Sequence, residues 1–299
     1  MSFKSLLEEK NKRLDSVPLA MQTVLEKQQA KILKQIIAEI GTLTTVDGRI
    51  KIDAANLRKI SGISDELKSI FLSKEYTKAV KEFAKEFDVQ AALNNKVIKA
   101  SLGTIETPLA ATAYVEIAKK SAIEALVGSP IDKEFIRPIQ GILENAVVNG
   151  ATFGETIDSI GLFVNGGEGE VSKIAKYARQ VTQDSFSIAD RSYTSIVSDY
   201  LESEWFYFSG TVVDGTRCFC LERVGNFYYY KEIEDWAEGK NLGKCDIGDG
   251  MWAGEIQGTN KATIYSYLGG YNCLHSIMPV TIDIVPESDI LRAKSLGYI

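Results

Sequence analysis

Histidine is almost absent from this sequence, because the 299 residues contain only one, His275. Every mechanism that requires two histidines is therefore excluded, including His-pair phosphotransfer and HExxH metalloproteolysis. A Ser-His-Asp hydrolase would have to use this single imidazole. The sequence also lacks the G-x-x-x-x-G-K-[S/T] loop that binds nucleotide phosphates, which excludes a P-loop enzyme.

Long apolar runs are missing as well. No stretch approaches the ~18 apolar residues of a membrane span, and the N-terminus is charged from Lys4 onward, without the apolar core of a secretory signal. We therefore expect a soluble intracellular protein with no membrane partner. All four cysteines lie in the last third of the chain, and in a reducing cytosol such a group indicates thiols or a metal more often than disulfides.

The composition changes near residue 204. The net charge is +5 in residues 1–100, but -5 in residues 101–200 and -6 in residues 201–299. After Ser203 lie 15 of the 28 aromatic residues, all three tryptophans and half of the 24 glycines. We therefore divide the chain into a helical N-terminal region (1–165), a long connecting helix (166–203) and a small aromatic-rich α+β module (204–299).

Before residue 204 the apolar spacing is helical. A first helix is expected after Pro18, which would occupy its first turn. Thr45–Ile50 is expected to form a short hairpin or a turn, and Asp53 to cap the next helix. Further helices are predicted over 64–72, 75–99, 107–127, 131–149 and 153–163, and a long one follows the flexible breaker Asn165–Glu170, from Val171 to near Ser203.

After residue 204 the aromatic runs Trp205–Phe208 and Phe227–Tyr230 indicate short strands, with a helix over 230–238. The predicted fold class is therefore α+β, with mostly helical N-terminal two-thirds followed by a small module of short antiparallel strands.

The cysteines and the histidine form two pairs with a spacing of two residues, Cys218-Phe-Cys220 and Cys273-Leu-His275. On strands, each pair would present both side chains on one face, and two facing pairs would offer three thiolates and one imidazole to a structural zinc ion. Cys245 is expected to lie outside this set. The alternatives are cysteines buried in an aromatic core, or a Cys-His catalytic dyad.

Basic residues are frequent in the predicted N-terminal helices. They are either solvated positions balanced by nearby glutamates, or contacts for DNA or an acidic protein surface. The residues concerned are Lys10, Lys12, Arg13, Lys27, Lys31 and Lys34.

The order of signals from about residue 172 to 281 resembles that of a known family. A helix with Tyr177-Ala178-Arg179 and, further along, Arg191 is followed by a series of spaced motif residues. These are Asp214, Thr216, Arg217, Cys220, Gly225, Trp236, Asn272, Cys273, His275 and Pro279. The series is similar to that of the Mu F-like minor head proteins, or phage head morphogenesis family, of tailed bacteriophages. Gln180-Val181-Thr182 stands where the family often has Thr-Glu, and Leu274 replaces its usual arginine.

This resemblance implies a minor structural protein inside the phage head, associated with the portal protein and other head proteins. It would act in head morphogenesis, genome packaging or delivery, with non-specific contact to packaged DNA, and would be present in the host cytoplasm during assembly. No enzymatic activity is expected, and a structural zinc ion is the one candidate cofactor. The alternative is a thiol- or metal-dependent hydrolase acting on nucleic acid.

Overall fold

The computed structural model describes residues 2–167 and 172–299. The fold class is α+β and mostly helical, as predicted, with a small antiparallel sheet near the C-terminus. Glu168, Gly169 and Glu170 of the predicted breaker, and Val171 at the predicted start of the long helix, lie outside the described residues.

Helices account for most of the first 200 residues. Their bounds are α1 Phe3–Ile40, α2 Ala54–Phe71, α3 Lys74–Leu102, α4 Leu109–Val127, α5 Ser129–Ile131, α6 Arg137–Val148, α7 Phe153–Asn165 and α8 Lys173–Tyr200. Asp132–Ile136 forms a π-helical segment between α5 and α6. Asp53 caps α2 as predicted, because its Oδ1 accepts the backbone N–H of Asn56 at 2.9 Å.

The remaining helices are short. They are α9 Cys218–Leu221, α10 Tyr230–Trp236, α11 Ile264–Tyr267 and α12 Glu287–Ser295. The predicted hairpin is present as β1 Thr45–Val46 and β2 Arg49–Ile50. The main sheet has the order β4-β3-β5 and is antiparallel throughout, with β3 Trp205–Gly210 between β4 Phe227–Tyr229 and β5 His275–Val280. Pro279 is accommodated because β5 is an edge strand.

The chain forms two compact units, each assembled from separate segments. Unit 1 comprises Met1–Pro18, Lys85–Lys119 and Gln183–Ile299, and unit 2 comprises Leu19–Ala84 and Lys120–Thr182. This division differs from the boundaries predicted at residues 165 and 203, because α1, α3, α4 and α8 each contribute residues to both units. The change in composition near residue 204 marks the start of the sheet within unit 1.

Unit 2 is helical apart from the β1-β2 hairpin, which the side chain of Asn56 fixes to the start of α2. The Asn56 amide accepts the N–H of Thr44 and donates to the carbonyls of Thr44 and Lys51, all at 2.8–2.9 Å. Asn56 is fully buried, and these bonds satisfy an amide that would otherwise be costly to bury. Deeper in unit 2, the buried Tyr76 hydroxyl donates to the carbonyl of Leu126 at 2.8 Å.

Unit 1 contains a buried ion pair between Lys10 on α1 and Asp190 on α8. Lys10 also donates to the Ser276 hydroxyl at 3.0 Å, while the amides of Gln90 and Asn94 donate to Asp190 Oδ1 at 2.9 Å. The interpretation of Lys10 as a solvated or DNA-contacting residue is therefore wrong. Burial lowers the pKa of Lys10, and Asp190 opposes that shift by stabilising the ammonium ion.

Pro18 lies inside α1, so the prediction that it begins a helix is wrong. Proline has no N–H to donate to the carbonyl four residues earlier, which belongs to Leu14. In unit 1 the side-chain amide of Gln183 donates to this carbonyl at 3.2 Å and also donates to the Ser187 hydroxyl at 2.9 Å. A buried side chain on α8 thus supplies the hydrogen bond that Pro18 cannot make.

Over the described residues, none of the helices combines the length and apolar character required to cross a lipid bilayer.

We predict that Gln183→Ala lowers the free energy of unfolding by about 1–3 kcal/mol, because it leaves the Leu14 carbonyl buried without a donor. In a Pro18→Ala background the same substitution should cost less, since the alanine introduced there has the backbone N–H that proline lacks. The hydrogen bond from Gln183 to the Ser187 hydroxyl is lost in both backgrounds, so its contribution cancels when the two costs are compared. Urea denaturation of the four proteins measures this coupling, and equal costs in both backgrounds would contradict the assignment.

Candidate metal centre

Cys218 and Cys220 lie on the single turn of α9, not on the predicted strand. Side chains two positions apart on a helix point in different directions. Cys218 forms a disulfide with Cys245, so it offers no thiolate, and the prediction that it is a metal ligand is wrong. The expectation of thiols or a metal in place of disulfides is also wrong for this pair, whereas Cys245 lies outside the metal set as predicted.

The other three predicted ligands, Cys220, Cys273 and His275, come together in unit 1, and all are buried. The two sulfur atoms are 3.6 Å apart, and His275 Nδ1 is 3.9 Å from Cys273 Sγ. The structure therefore brings α9 and the start of β5 together at one point. The two Cys/His pairs are close in space, as a shared metal site requires.

The geometry of these donors fits zinc. Two sulfurs bound at ~2.3 Å with tetrahedral angles lie ~3.8 Å apart, close to the separation of Cys220 and Cys273. The ring nitrogen of His275 that faces Cys273 Sγ is Nδ1, whereas Nε2 is buried without a hydrogen-bond partner. A tetrahedral zinc ion has four ligands, so it would take these three side chains and one further ligand.

Two glycines make room for the cluster. A Cβ atom at position 269 would collide with Cys220 Sγ, and one at position 210 would collide with the ring of His275. Gly210 pairs with His275 across the β3-β5 ladder, so the backbone of β3 passes directly over the imidazole. Any larger residue at either position would displace a ligand.

Asp184 and Arg191 on α8 fix the loop that carries Cys273 and His275. Arg191 is buried, and its guanidinium donates to the carbonyls of Ser266 at 2.6 Å and of Cys273 and His275 at 3.1 Å. Asp184 accepts the N–H of Asn272 at 2.5 Å, at a position where Asn272 has a φ of 54°. Both ends of the ligand-bearing segment are thereby attached to one helix.

The two thiols shift each other's pKa in opposite directions. The hydrogen bond from Cys220 lowers the pKa of the Cys273 thiol well below its ordinary value, with further contributions from His275 and the Arg191 cation. The same hydrogen bond, together with burial, raises the pKa of Cys220. A lowered thiol pKa favours metal binding, because zinc takes cysteine as thiolate.

Most residues of the family resemblance lie in unit 1. Arg217 donates to the carbonyl of Gly269 at 3.1 Å, and Trp236 packs edge-on against Phe219 in the core beside Cys220. Gly225, with a φ of 87°, forms the turn before β4 and donates to the carbonyl of Phe208 at 2.8 Å. Thr216 closes the turn that contains Asp214, where its hydroxyl accepts the N–H of Val213.

Two of the charged motif residues are exposed. Arg179 is exposed on the part of α8 that belongs to unit 2, and Asp214 is exposed in its turn. Sequence reasoning did not identify Asp184 or Gly269 as parts of the site. The Gly269-Gly270 pair could have indicated a close approach of the backbone at Gly269. Nothing in the sequence distinguishes Asp184 from the many other polar residues on α8.

A Cys-His catalytic dyad is poorly supported by this geometry. Cys273 is 4% exposed and His275 is 3% exposed, and a nucleophile must be reached by its substrate. The burial and the convergence of donors favour a structural role.

No protein-family model, curated protein or solved structure matches this chain.

We predict that the purified protein binds about one zinc ion per chain and that Cys220→Ser, Cys273→Ser and His275→Ala each reduce this content. The matched control is the double variant Cys218→Ser/Cys245→Ser, which changes two cysteines outside the cluster and should retain the metal. Elemental analysis by mass spectrometry gives the zinc content. Unchanged zinc in the Cys220→Ser/Cys273→Ser double variant would rule out the cluster as the site.

The disulfide generates a separate prediction. Cys218 and Cys245 are 27 residues apart, and closing such a loop stabilises a folded chain by about 3–4 kcal/mol. Cys218→Ser/Cys245→Ser should lower the free energy of unfolding by that amount. Denatured protein treated with chelator should show two thiols before reduction and four after it. Four thiols without a reductant would contradict the bond.

Proposed function

We propose that this protein is a minor structural component of the head of a tailed bacteriophage, which associates with the portal protein and acts in head morphogenesis or genome packaging and delivery. The observation that carries the proposal is the convergence of motif residues that are distant in sequence. Cys220, Cys273 and His275, which both their spacing and the resemblance singled out, form one buried centre, and Arg217 donates to the carbonyl of Gly269 beside it.

The burial of this centre supports an assembly function. A structural protein needs a rigid fold that presents surfaces, whereas an enzyme needs reactive groups that substrate can reach. Cys220, Cys273 and His275 are all buried, and Arg191 bonds the backbone of the ligand segment. Such a centre stabilises a fold without acting on a substrate.

The surface of unit 1 supports contacts with another protein. On α4, Leu109 is 89% exposed and Ile117 is 61% exposed, and the helical spacing of eight residues puts them close to one face. Exposed apolar side chains near one face of a helix offer a partner protein apolar surface to bury. This supports a partner such as a portal ring more than a soluble small-molecule substrate.

Contact with packaged DNA is supported only by basic residues that remain exposed. Lys12, Lys27, Lys31 and Lys34 are exposed, but Lys31 is paired with Glu75 at 2.9 Å. Affinity for DNA should therefore be low and independent of sequence, and should fall steeply with salt, since only phosphate charge is recognised.

We predict that the chain is present at low copy number in purified particles of the phage that encodes it, and that it co-purifies with the portal protein when both are expressed together. Quantitative mass spectrometry of particles measures the first result, and affinity purification the second. A Leu109→Asp/Ile117→Asp variant should lose portal binding while it keeps its zinc and its melting temperature.

Absence from particles combined with no portal binding would overturn the proposal. The hydrolase alternative would then be tested with single-stranded and double-stranded DNA and RNA as substrates. If the protein is a hydrolase, His275→Ala should abolish its nuclease activity. If the centre is structural, the same substitution should cause loss of metal or of folding, and no nuclease activity should be present in the wild type.

A further inference from the structure

A pocket of about 360 Å³ lies in unit 1, and its lining residues include no member of the cysteine cluster. It lies between the C-terminal helix α12 and the segment from α9 to α10. Its walls carry three cationic side chains, two carboxylates, two amides and two aromatic rings, namely Arg223, Arg292, Lys244, Glu222, Glu232, Asn226, Asn241, Tyr228 and Trp236. The volume is in the range of small-molecule sites and far exceeds that of one water molecule.

Arg223 is the unusual residue of this pocket, because its charge is buried without a carboxylate partner. The side chain belongs to a residue only 4% exposed, and within the described parts of the chain no carboxylate oxygen lies within 4.0 Å of its guanidinium. Its two terminal nitrogens donate to the carbonyls of Phe219 at 2.9 Å and Asn241 at 3.2 Å. Its Nε–H is buried and has no acceptor.

The aromatic rings hold the Arg223 guanidinium in position but do not neutralise it. Its central carbon lies 4.0 Å from the centroid of Phe219 and 4.5 Å from that of Trp236. Burial lowers the pKa of Arg223 to about 10, a sign that its positive charge is incompletely compensated. Leaving a charge buried without a counter-charge is costly, so the local structure favours an anion at this place.

The other cations of the pocket already have partners. Arg292 bonds Glu232 at 3.0 Å and also bonds Asp289, and its guanidinium lies over the ring of Tyr228. Lys244 pairs with Glu222 at 2.8 Å at an exposed position. The uncompensated positive charge of the pocket is therefore that of Arg223.

We propose that this pocket binds a small molecule through an oxyanion, either a phosphate or a carboxylate group, with Arg223 as the residue that recognises it. An arginine presents five N–H donors, of which the Phe219 and Asn241 carbonyls take two. The remaining donors can form charge-assisted bonds to an oxyanion. The proposal is independent of the function of the protein in a phage head.

The experiment titrates the full-length, zinc-loaded protein with inorganic phosphate, adenosine monophosphate or acetate at constant ionic strength. The readout on the wild-type protein is the NMR signal of the Arg223 Nε–H group, which is buried and should therefore exchange slowly. Isothermal titration calorimetry gives the dissociation constants. Tighter binding of phosphate and its ester than of acetate identifies the ligand as a phosphate, and the reverse order identifies it as a carboxylate.

Arg223→Lys keeps the charge and loses the planar donor set, and it should weaken binding by about ten-fold or more. The matched control is Arg137→Gln, which removes an exposed arginine in unit 2 and should bind as the wild type does. An unmoved Arg223 Nε–H signal with all three anions would overturn the proposal, even if Arg223→Lys fails to fold. Equal affinities of a folded Arg223→Lys and the wild type would also overturn it.

Discussion

The burial of α8 within unit 1 is the constraint on which the rest of this unit depends. Most of its residues from Gln183 to Ser198 are buried although many are polar, so their side chains must find partners inside the protein. Asp190 meets Lys10, Gln90 and Asn94, whereas its neighbour Arg191 meets the carbonyls of the ligand-bearing loop. Successive residues of one helix therefore tie together α1, α3 and β5.

The groups that position the cluster are distinct from the atoms that would bind a metal. Arg191 bonds the backbone carbonyls of Cys273 and His275, so it orients these residues without occupying the sulfur or nitrogen atoms that would bind a metal. Asp184 fixes Asn272 in the same way, through a backbone N–H. Contacts of this kind behind the ligands determine how well a metal site is pre-formed.

Local patterns in the sequence predicted the elements well, and they predicted long-range pairing poorly. Apolar periodicity located the helices, and the aromatic runs located β3 and β4. Cys220, Cys273 and His275 come together as expected, but neither pair lies on a strand, because Cys218 and Cys220 are on the helical turn α9 and Cys273 precedes β5. The pairing of Lys10 with Asp190 spans 180 residues, and no local signal distinguishes a lysine that will be buried from its solvated neighbours. The division into two units was not predicted for the same reason, because each unit is assembled from segments that are distant in the sequence.

Unit 1 is assembled from three separate segments of the chain, and this affects how it can fold during synthesis on the ribosome. Lys10 emerges early, but Ser276, which accepts its hydrogen bond, is 266 residues further along. Unit 2 ends at Thr182, so all its segments have been translated while more than a hundred residues of unit 1 are still to be added. Domains generally fold once their residues are available, so unit 2 is complete first, and the N-terminal turns of α1 wait for the final strand.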